Sequence, residues 1–141
     1  MSVMGNKSKR IIIDTNLWIS FLITKNFAQL DEIILSGKSV LIFSEELLSE
    51  FLEVVARPKF KRFFKIKDVE SLIEIIQDYA EFIDVKSVVN ECRDEKDNFL
   101  LALAVDSEAD YLLTGDGDLL EIQQFNSTQI LRITEFIEIY K

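Results

Sequence analysis

Four acidic residues stand at places along the chain from which their carboxylates could meet. Asp14 and Asp116 each follow a short apolar run of the kind that forms a buried strand of a parallel sheet. Asp97 opens a segment rich in leucine and alanine, and Glu50 lies two turns into another helical segment. Open parallel sheets bind ligands outside the carboxyl ends of their strands. The order of these segments therefore predicts one acidic pocket at that edge of a sheet.

Such a pocket has the chemistry of a site for a hard divalent cation. Carboxylates about 5 Å apart repel each other by roughly 3 kcal/mol per pair at an effective dielectric near 20, and Mg²⁺ or Mn²⁺ would remove that cost. The chain contains no histidine. This excludes Ser-His-Asp and Cys-His catalysis and zinc sites built on imidazole, so the chemistry must use carboxylates.

Each acid taken alone also has a purely structural interpretation. Asp14 or Asn16 could accept hydrogen bonds from nearby backbone N–H groups in an Asx turn. In the run TGDGDLL, Asp116 or Asp118 could cap a short following helix, and the spacing does not fit an EF-hand loop. These structural roles compete with metal binding at both places.

The acids of the predicted helices have similar alternatives. Asp94 could be an N-cap, with Asp97 three residues later favouring the helix N-terminus. Glu50 alone would be read as a solvated helix residue. The combination favours a site, because three acids at strand ends or helix starts and one on a helix facing the same edge resemble a set of cation ligands.

The composition indicates a single globular domain. The chain has 141 residues, of which 48% are hydrophobic, with only four glycines and one proline. Residues 1–9 are predicted to be a disordered tail, and residues 10–141 are predicted to form the domain. Cys92 has no partner for a disulfide, and the sequence shows neither a membrane span nor a secretory signal. We therefore expect a cytoplasmic protein.

Short apolar runs alternate with longer segments of helical spacing, which predicts an α/β fold. Strands are predicted at residues 11–13, 40–43, 82–85, 111–113 and 129–131. Helices are predicted from an N-cap at Ser44 to the residues before Pro58, and at 68–81, 97–109, 26–36 and 134–140.

A basic and aromatic segment lies between two of the predicted helices. The net charge of -9 argues against broad attraction to nucleic acid, so such a substrate would need a local basic surface. Six of the sixteen Lys and Arg residues fall within ARPKFKRFFKIK, interleaved with three phenylalanines. Arg57, Lys59, Lys61 and Arg62 are the candidate RNA-binding residues, with phenylalanines stacking on bases. The alternative is a connection between helices, with solvated lysines and buried phenylalanines.

The sequence resembles the PIN domain family, in particular its prokaryotic members assigned as toxins of type II toxin-antitoxin modules. The resemblance covers residues 10 to about 136 and depends on four blocks in order: IIIDTNLW, SEELLSEFLEVVARPKF, CRDEKDNFLLALAVDSEADYLLTGDGDLL and ILRITEF. It implies a three-layer fold with a central parallel sheet of about five short strands flanked by helices. It also implies hydrolysis of phosphodiester bonds of single-stranded RNA by an endoribonuclease that depends on Mg²⁺ or Mn²⁺.

The resemblance also assigns residues. It matches the family's acidic quartet to Asp14, Glu50, Asp97 and Asp116. We expect Asp14, Asp97 and Asp116 to ligate metal, with Asp118 as a further ligand, and Glu50 to orient or deprotonate the attacking water. Supporting positions are occupied by Thr15, Asn16, Asp94 and Thr114.

The resemblance further implies partners, and two rival functions stay open. A toxin would have a cognate antitoxin protein that covers the pocket, and we expect a homodimer. The first rival is a PIN-like module that binds metal or RNA in a complex without cutting. The second is a phosphotransfer domain, which would form an aspartyl phosphate. The phosphatase pattern of two aspartates separated by one residue is absent, because Thr15 and Asn16 follow Asp14.

Overall fold

Strands and helices alternate along the chain as the hydrophobic pattern predicts. A computed structural model describes residues 8–26, 28, 31–32, 37 and 39–139. The strands are β1 (Lys9–Ile13), β2 (Ser39–Phe43), β3 (Ala80–Phe82), β4 (Tyr111–Leu113), β5 (Gln124–Phe125) and β6 (Thr128–Leu131). The helices are α1 (Thr15–Thr24), α2 (Glu45–Val55), α3 (Ile66–Tyr79), α4 (Glu95–Ser107), α5 (Gly117–Ile122) and α6 (Ile133–Ile139), with a short 3-10 helix over Pro58–Phe60.

The strands form one six-stranded sheet in the order β3-β2-β1-β4-β6-β5. Neighbouring strands pair in parallel except β5 and β6, which form an antiparallel pair at one edge. The chain moves outward from β1 through β2 to β3 and then crosses back to β4. The strand order therefore reverses between β1 and β4, which is where an open parallel sheet offers its ligand crevice.

The predicted α/β architecture is confirmed, and its strand count is corrected. The prediction of about five parallel strands misses β5, a two-residue strand that turns through Asn126 and pairs back on β6. β3 also lies two residues earlier than predicted, because α3 ends at Tyr79 and Ala80 pairs directly with Leu41 of β2.

The core surrounds β1, whose residues 11–13 are completely buried. Burial on both faces explains why this strand is a continuous run of isoleucine and not an alternating pattern. Trp18 of α1 is also fully buried and makes edge contacts with the rings of Phe43 and Phe51, at centroid distances of 5.8 and 6.5 Å. Each such side chain contributes about 1.5–3 kcal/mol through burial. This packing fixes α1 and α2 against the strand ends that carry the acidic residues.

The sequence analysis predicted no helix at Thr15–Thr24, where the structure has α1. The helices predicted after Ser44, at 68–81, at 97–109 and at 134–140 start within two residues of their predicted positions. Ser44 caps α2 by accepting a hydrogen bond from the backbone N–H of Leu47 at 3.0 Å, as predicted. Both α3 and α4 begin two residues earlier than expected, because Lys65 and Asp94 are their cap residues. Among the described residues, none of the helices combines the length and the apolar composition that a bilayer-spanning helix requires.

The predicted ends of the domain need one correction. Lys9, assigned to the disordered tail, is the first residue of β1 and pairs with Ser39. Residues 1–7 lie outside the described part of the chain, as does most of the helix predicted at 26–36.

Candidate active site

Asp14 lies at the carboxyl end of the central strand, between β1 and α1. Its backbone N–H donates to the carbonyl of Leu113 at 2.9 Å, which ties it to the end of neighbouring β4. Its carboxylate accepts a hydrogen bond from the N–H of Asn16 at 3.2 Å, and the residue is only 7% exposed. The Asx-turn interpretation is therefore confirmed. A buried carboxylate with further acceptor capacity remains at the strand-order switch.

Thr114 connects this carboxylate to the acids that follow β4. Its buried hydroxyl donates to Oδ2 of Asp14 at 2.7 Å and accepts from the backbone N–H of Asp116 at 3.0 Å. The carboxylate of Asp116 in turn accepts from the N–H of Leu119 at 3.0 Å, so it caps α5. One threonine thus sets the spacing between the β1 and β4 ends of the pocket.

Three carboxylates are grouped closely enough to share an ion. One oxygen from each of Asp97, Asp116 and Asp118 lies within 4.8 Å of the others. Oxygen ligands about 2.0–2.6 Å from a central Mg²⁺ or Ca²⁺ are separated by at most about 5 Å, so this spacing fits one cation. The donors are all carboxylate oxygens, which suit Mg²⁺ and Mn²⁺ better than soft metals.

Burial and repulsion by neighbouring charges make Asp97 and Asp14 hard to ionise without a cation. Burial, followed by the charges of Asp116 and Asp94, raises the pKa of Asp97 from 3.8 to about 7. Burial also raises the pKa of Asp14, although the hydroxyl of Thr114 opposes the shift by donating to the charged form. A divalent ion would stabilise the ionised form of each group, so the donor set fits such an ion electrostatically as well as geometrically.

Glu50 faces the same pocket from α2. It is half-buried, and burial is the main cause that raises its pKa, with the charge of Asp14 acting in the same direction. The ammonium of Lys96 and the buried hydroxyl of Thr15 lower that pKa, although the hydroxyl makes no regular hydrogen bond. Glu50 is therefore electrostatically coupled both to the junction of β1 with α1 and to the start of α4.

The family model described as the PIN domain matches residues 10–118. The chain belongs to the PIN domain family. This PIN domain is also similar to an uncharacterised protein of Methanocaldococcus jannaschii, with 28% identity over 129 residues that cover 89% of this chain and 83% of that protein. No solved structure matches it significantly. The family match includes all the pocket acids described above, from Asp14 to Asp118, and it indicates a nuclease.

Two cations of this PIN domain lie at the rim of its pocket, and the sequence analysis missed both. Lys96 is in the first turn of α4 and acts on Glu50. The guanidinium of Arg93 lies 3.8 Å from the carboxylate of Asp118. Their position in the block RDEKD, beside a predicted ligand, is the sequence signal that could have identified them.

Asp94 has the structural role that the sequence allowed. Its carboxylate accepts from the N–H of Lys96 at 2.9 Å, so it is the N-cap of α4. It is exposed and is not one of the three grouped ligands, although its charge raises the pKa of Asp97. Asp94 therefore lies at the edge of the site of this PIN domain and not at its centre.

The predicted RNA-binding residues are not part of the acidic pocket. Arg57, Lys59, Lys61 and Arg62 are exposed on the segment that connects α2 to α3. The structure thus gathers the acids of this PIN domain and leaves its basic segment as a separate surface.

Proposed function

We propose that this PIN domain is a divalent-metal-dependent endoribonuclease that hydrolyses phosphodiester bonds of single-stranded RNA, and that it is the toxin of a toxin-antitoxin pair. The observation that carries the proposal is the grouping of Asp97, Asp116 and Asp118 oxygens within 4.8 Å of one another. Membership of the PIN domain family supports nuclease chemistry at this place.

The residues that would hold Mg²⁺ or Mn²⁺ are Asp97, Asp116 and Asp118, with Asp14 beside them. A bound ion of this kind lowers the pKa of water and stabilises negative charge on the phosphoryl and leaving oxygens. The three grouped donors are carboxylate oxygens, and the hydrogen bonds that Asp14 and Asp116 accept orient their carboxylates before any ion binds. Such preorganisation reduces the reorganisation needed on binding.

Glu50 is the residue that we assign to the attacking water. Its carboxylate has a pKa raised by burial, which brings its basicity closer to neutral pH and makes it a better proton acceptor. The ammonium of Lys96 stabilises the ionised form of Glu50 that is needed to accept that proton. Lys96 also brings a positive charge to the rim of the acidic pocket, which would attract a substrate phosphate.

The test is cleavage of a mixed single-stranded RNA pool by purified wild type, Asp14→Asn and Asp84→Asn. The Asp84 side chain is 84% exposed on the loop after β3, so its variant is the matched control for loss of one carboxylate. We expect wild type and Asp84→Asn to cut with Mn²⁺ or Mg²⁺ and not with excess chelator. Asp14→Asn should stay folded and cut nothing. Cutting by Asp14→Asn, or cutting in chelator, would contradict the proposal.

The toxin role needs a separate test in cells. Expression of wild type should arrest growth, the Asp14→Asn variant should not, and co-expression of a cognate antitoxin should restore growth. Purified protein that is folded and binds Mn²⁺, yet cuts no RNA, would instead support a binding module that acts in a complex. We also propose that the protein forms a homodimer, which sedimentation of the purified chain tests directly.

A further inference from the structure

A strongly basic surface lies between α2 and α3. Residues 57–67 contain six Lys or Arg residues and no acid, in a chain whose net charge is -9. All six are exposed. Within the described part of the chain, one of them forms an ion pair, Arg57 with Glu53 at 3.9 Å, and the other five do not. We call residues 57–67 the basic-aromatic surface. Its charge is available to a polyanion.

The three phenylalanines of this surface have different environments. Phe64 is 8% exposed and stacks on Phe60 with a centroid distance of 5.9 Å, so this pair supports the fold. Phe63 is 40% exposed, and the guanidinium of Arg62 lies 5.2 Å from its ring centroid. The structural and the RNA-binding interpretations of the sequence therefore apply to different residues. Phe63 is an outward-facing ring already flanked by a cation.

The basic-aromatic surface begins close to the acidic pocket along the chain. Arg57 follows Glu50 by seven residues, most of them in α2, which is about 10 Å at 1.5 Å per residue. That distance corresponds to about three stacked nucleotides at 3.4 Å each. The path along α2 from Glu50 to the start of this surface is therefore comparable to the length of a few stacked nucleotides.

We propose that the basic-aromatic surface is a second binding site for the single-stranded RNA substrate, in which Phe63 stacks on an unpaired base and Lys59, Lys61 and Arg62 contact the flanking phosphates. Stacking on an aromatic ring needs a base that is free of its complement, and neighbouring cations neutralise the backbone. The surface thus selects single strands over duplexes and offsets the repulsion between RNA and an acidic protein. This proposal rests on the proposed function, since it concerns the same substrate.

The experiment separates binding from cleavage. Affinity for a fluorescent 12-nucleotide single-stranded RNA is measured by anisotropy, in chelator, with every variant built on Asp14→Asn. We expect Phe63→Leu to weaken binding at least about five-fold, because loss of one stacked base has an effect of this size. We expect the double variant Lys61→Ala/Arg62→Ala to reduce the slope of log affinity against log salt by about 1.4, at about 0.7 per phosphate contact on a single strand.

Two matched controls keep the result specific. Tyr79→Leu removes an aromatic ring that is 54% exposed at the other end of α3, and Lys86→Ala removes a cation that is 81% exposed on the loop after β3. Both should bind RNA like the parent. Duplex RNA of the same sequence should be insensitive to Phe63→Leu.

Three outcomes would overturn the inference. In the first, Phe63→Leu binds single strands as tightly as Tyr79→Leu does. In the second, duplex RNA shows the same loss as single strands. In the third, the surface variants no longer bind an antitoxin protein but still bind single-stranded RNA with the affinity of the parent. If wild type cuts RNA with metal and one of these outcomes is found, the proposed function is retained and only the second binding site is rejected. If Phe63→Leu weakens RNA binding but wild type cuts no RNA, the second binding site is retained and the nuclease function is rejected.

Discussion

Asp97 is the most strongly perturbed carboxyl group of the site, and replacing it with asparagine tests the crowding of the pocket directly. Burial, followed by the charges of Asp116 and Asp94, raises its pKa from 3.8 to about 7. At a pH between these two pKa values, Asp97 is protonated in the folded protein and ionised in the unfolded chain. The contribution of Asp97 to stability is therefore fully present below about pH 3.8, and it is lost as the pH rises through about 7.

The magnitude follows from the shift. From pH 5 to the folded pKa near 7 is about two units, and each unit is worth about 1.4 kcal/mol. Asparagine has the same shape, carries no charge and can donate a hydrogen bond to Asp116. Solvent screening reduces this full value, so in the absence of divalent ions the free energy of unfolding of Asp97→Asn relative to wild type should increase by about 1–3 kcal/mol between pH 5 and pH 8.

Urea unfolding measures this difference through the fluorescence of Trp18, the single tryptophan, which is fully buried. The exposed control Asp84→Asn should show no pH-dependent gain. A gain from Asp97→Asn that is equal at pH 5 and pH 8, or a loss at pH 8, would refute the conclusion that these carboxylates repel each other. Mn²⁺ at 100 times its dissociation constant should stabilise wild type by about 2.7 kcal/mol at pH 8 and stabilise Asp97→Asn less.

Three further substitutions test separate parts of the site. Thr114→Val should lower the free energy of unfolding by about 1–3 kcal/mol, because the Asp14 carboxylate and the backbone N–H of Asp116 both lose their hydrogen-bond partner. Urea unfolding measures this loss, and the exposed control Thr134→Val should show none. Asp118→Asn should raise the Mn²⁺ concentration needed for half-maximal RNA cleavage, and an unchanged requirement would remove Asp118 from the ligands. Asp94→Ala should lower stability by about 1 kcal/mol through loss of a helix cap while folded molecules still cut, and complete loss of cutting would make Asp94 part of the site.

The sequence predicts those features whose signals are local. Residues 11–13 are buried on both faces, so an unbroken isoleucine run identifies β1 and places Asp14 at its end. Ser44 caps α2 with its own side chain, so the residue type alone marks the helix start. These features need no knowledge of the rest of the chain.

Other features depend on contacts between distant segments. β5 has two residues, too few to show a periodic pattern, and it exists because Gln124 and Phe125 pair back on β6. The effect of Lys96 on Glu50 joins α4 to α2 across 46 positions of sequence, which no local pattern records. The pairing of two strands decides the first feature, and the packing of α2 beside α4 decides the second.

The structural and catalytic interpretations of the acids are not alternatives in this fold. Asp14, Asp94 and Asp116 each cap a helix, and those helices begin at the edge where a parallel sheet ends its strands. A cap residue is therefore held by backbone N–H groups at the place where a ligand crevice opens. The bonds that satisfy the helix also orient a carboxylate oxygen towards the crevice. Because asparagine caps helices as well as aspartate does, Asp116→Asn removes the charge while keeping the cap, and a loss of cutting then reports on the charge itself. Asp14→Asn keeps the cap as well, but it also removes the oxygen that accepts from the Thr114 hydroxyl.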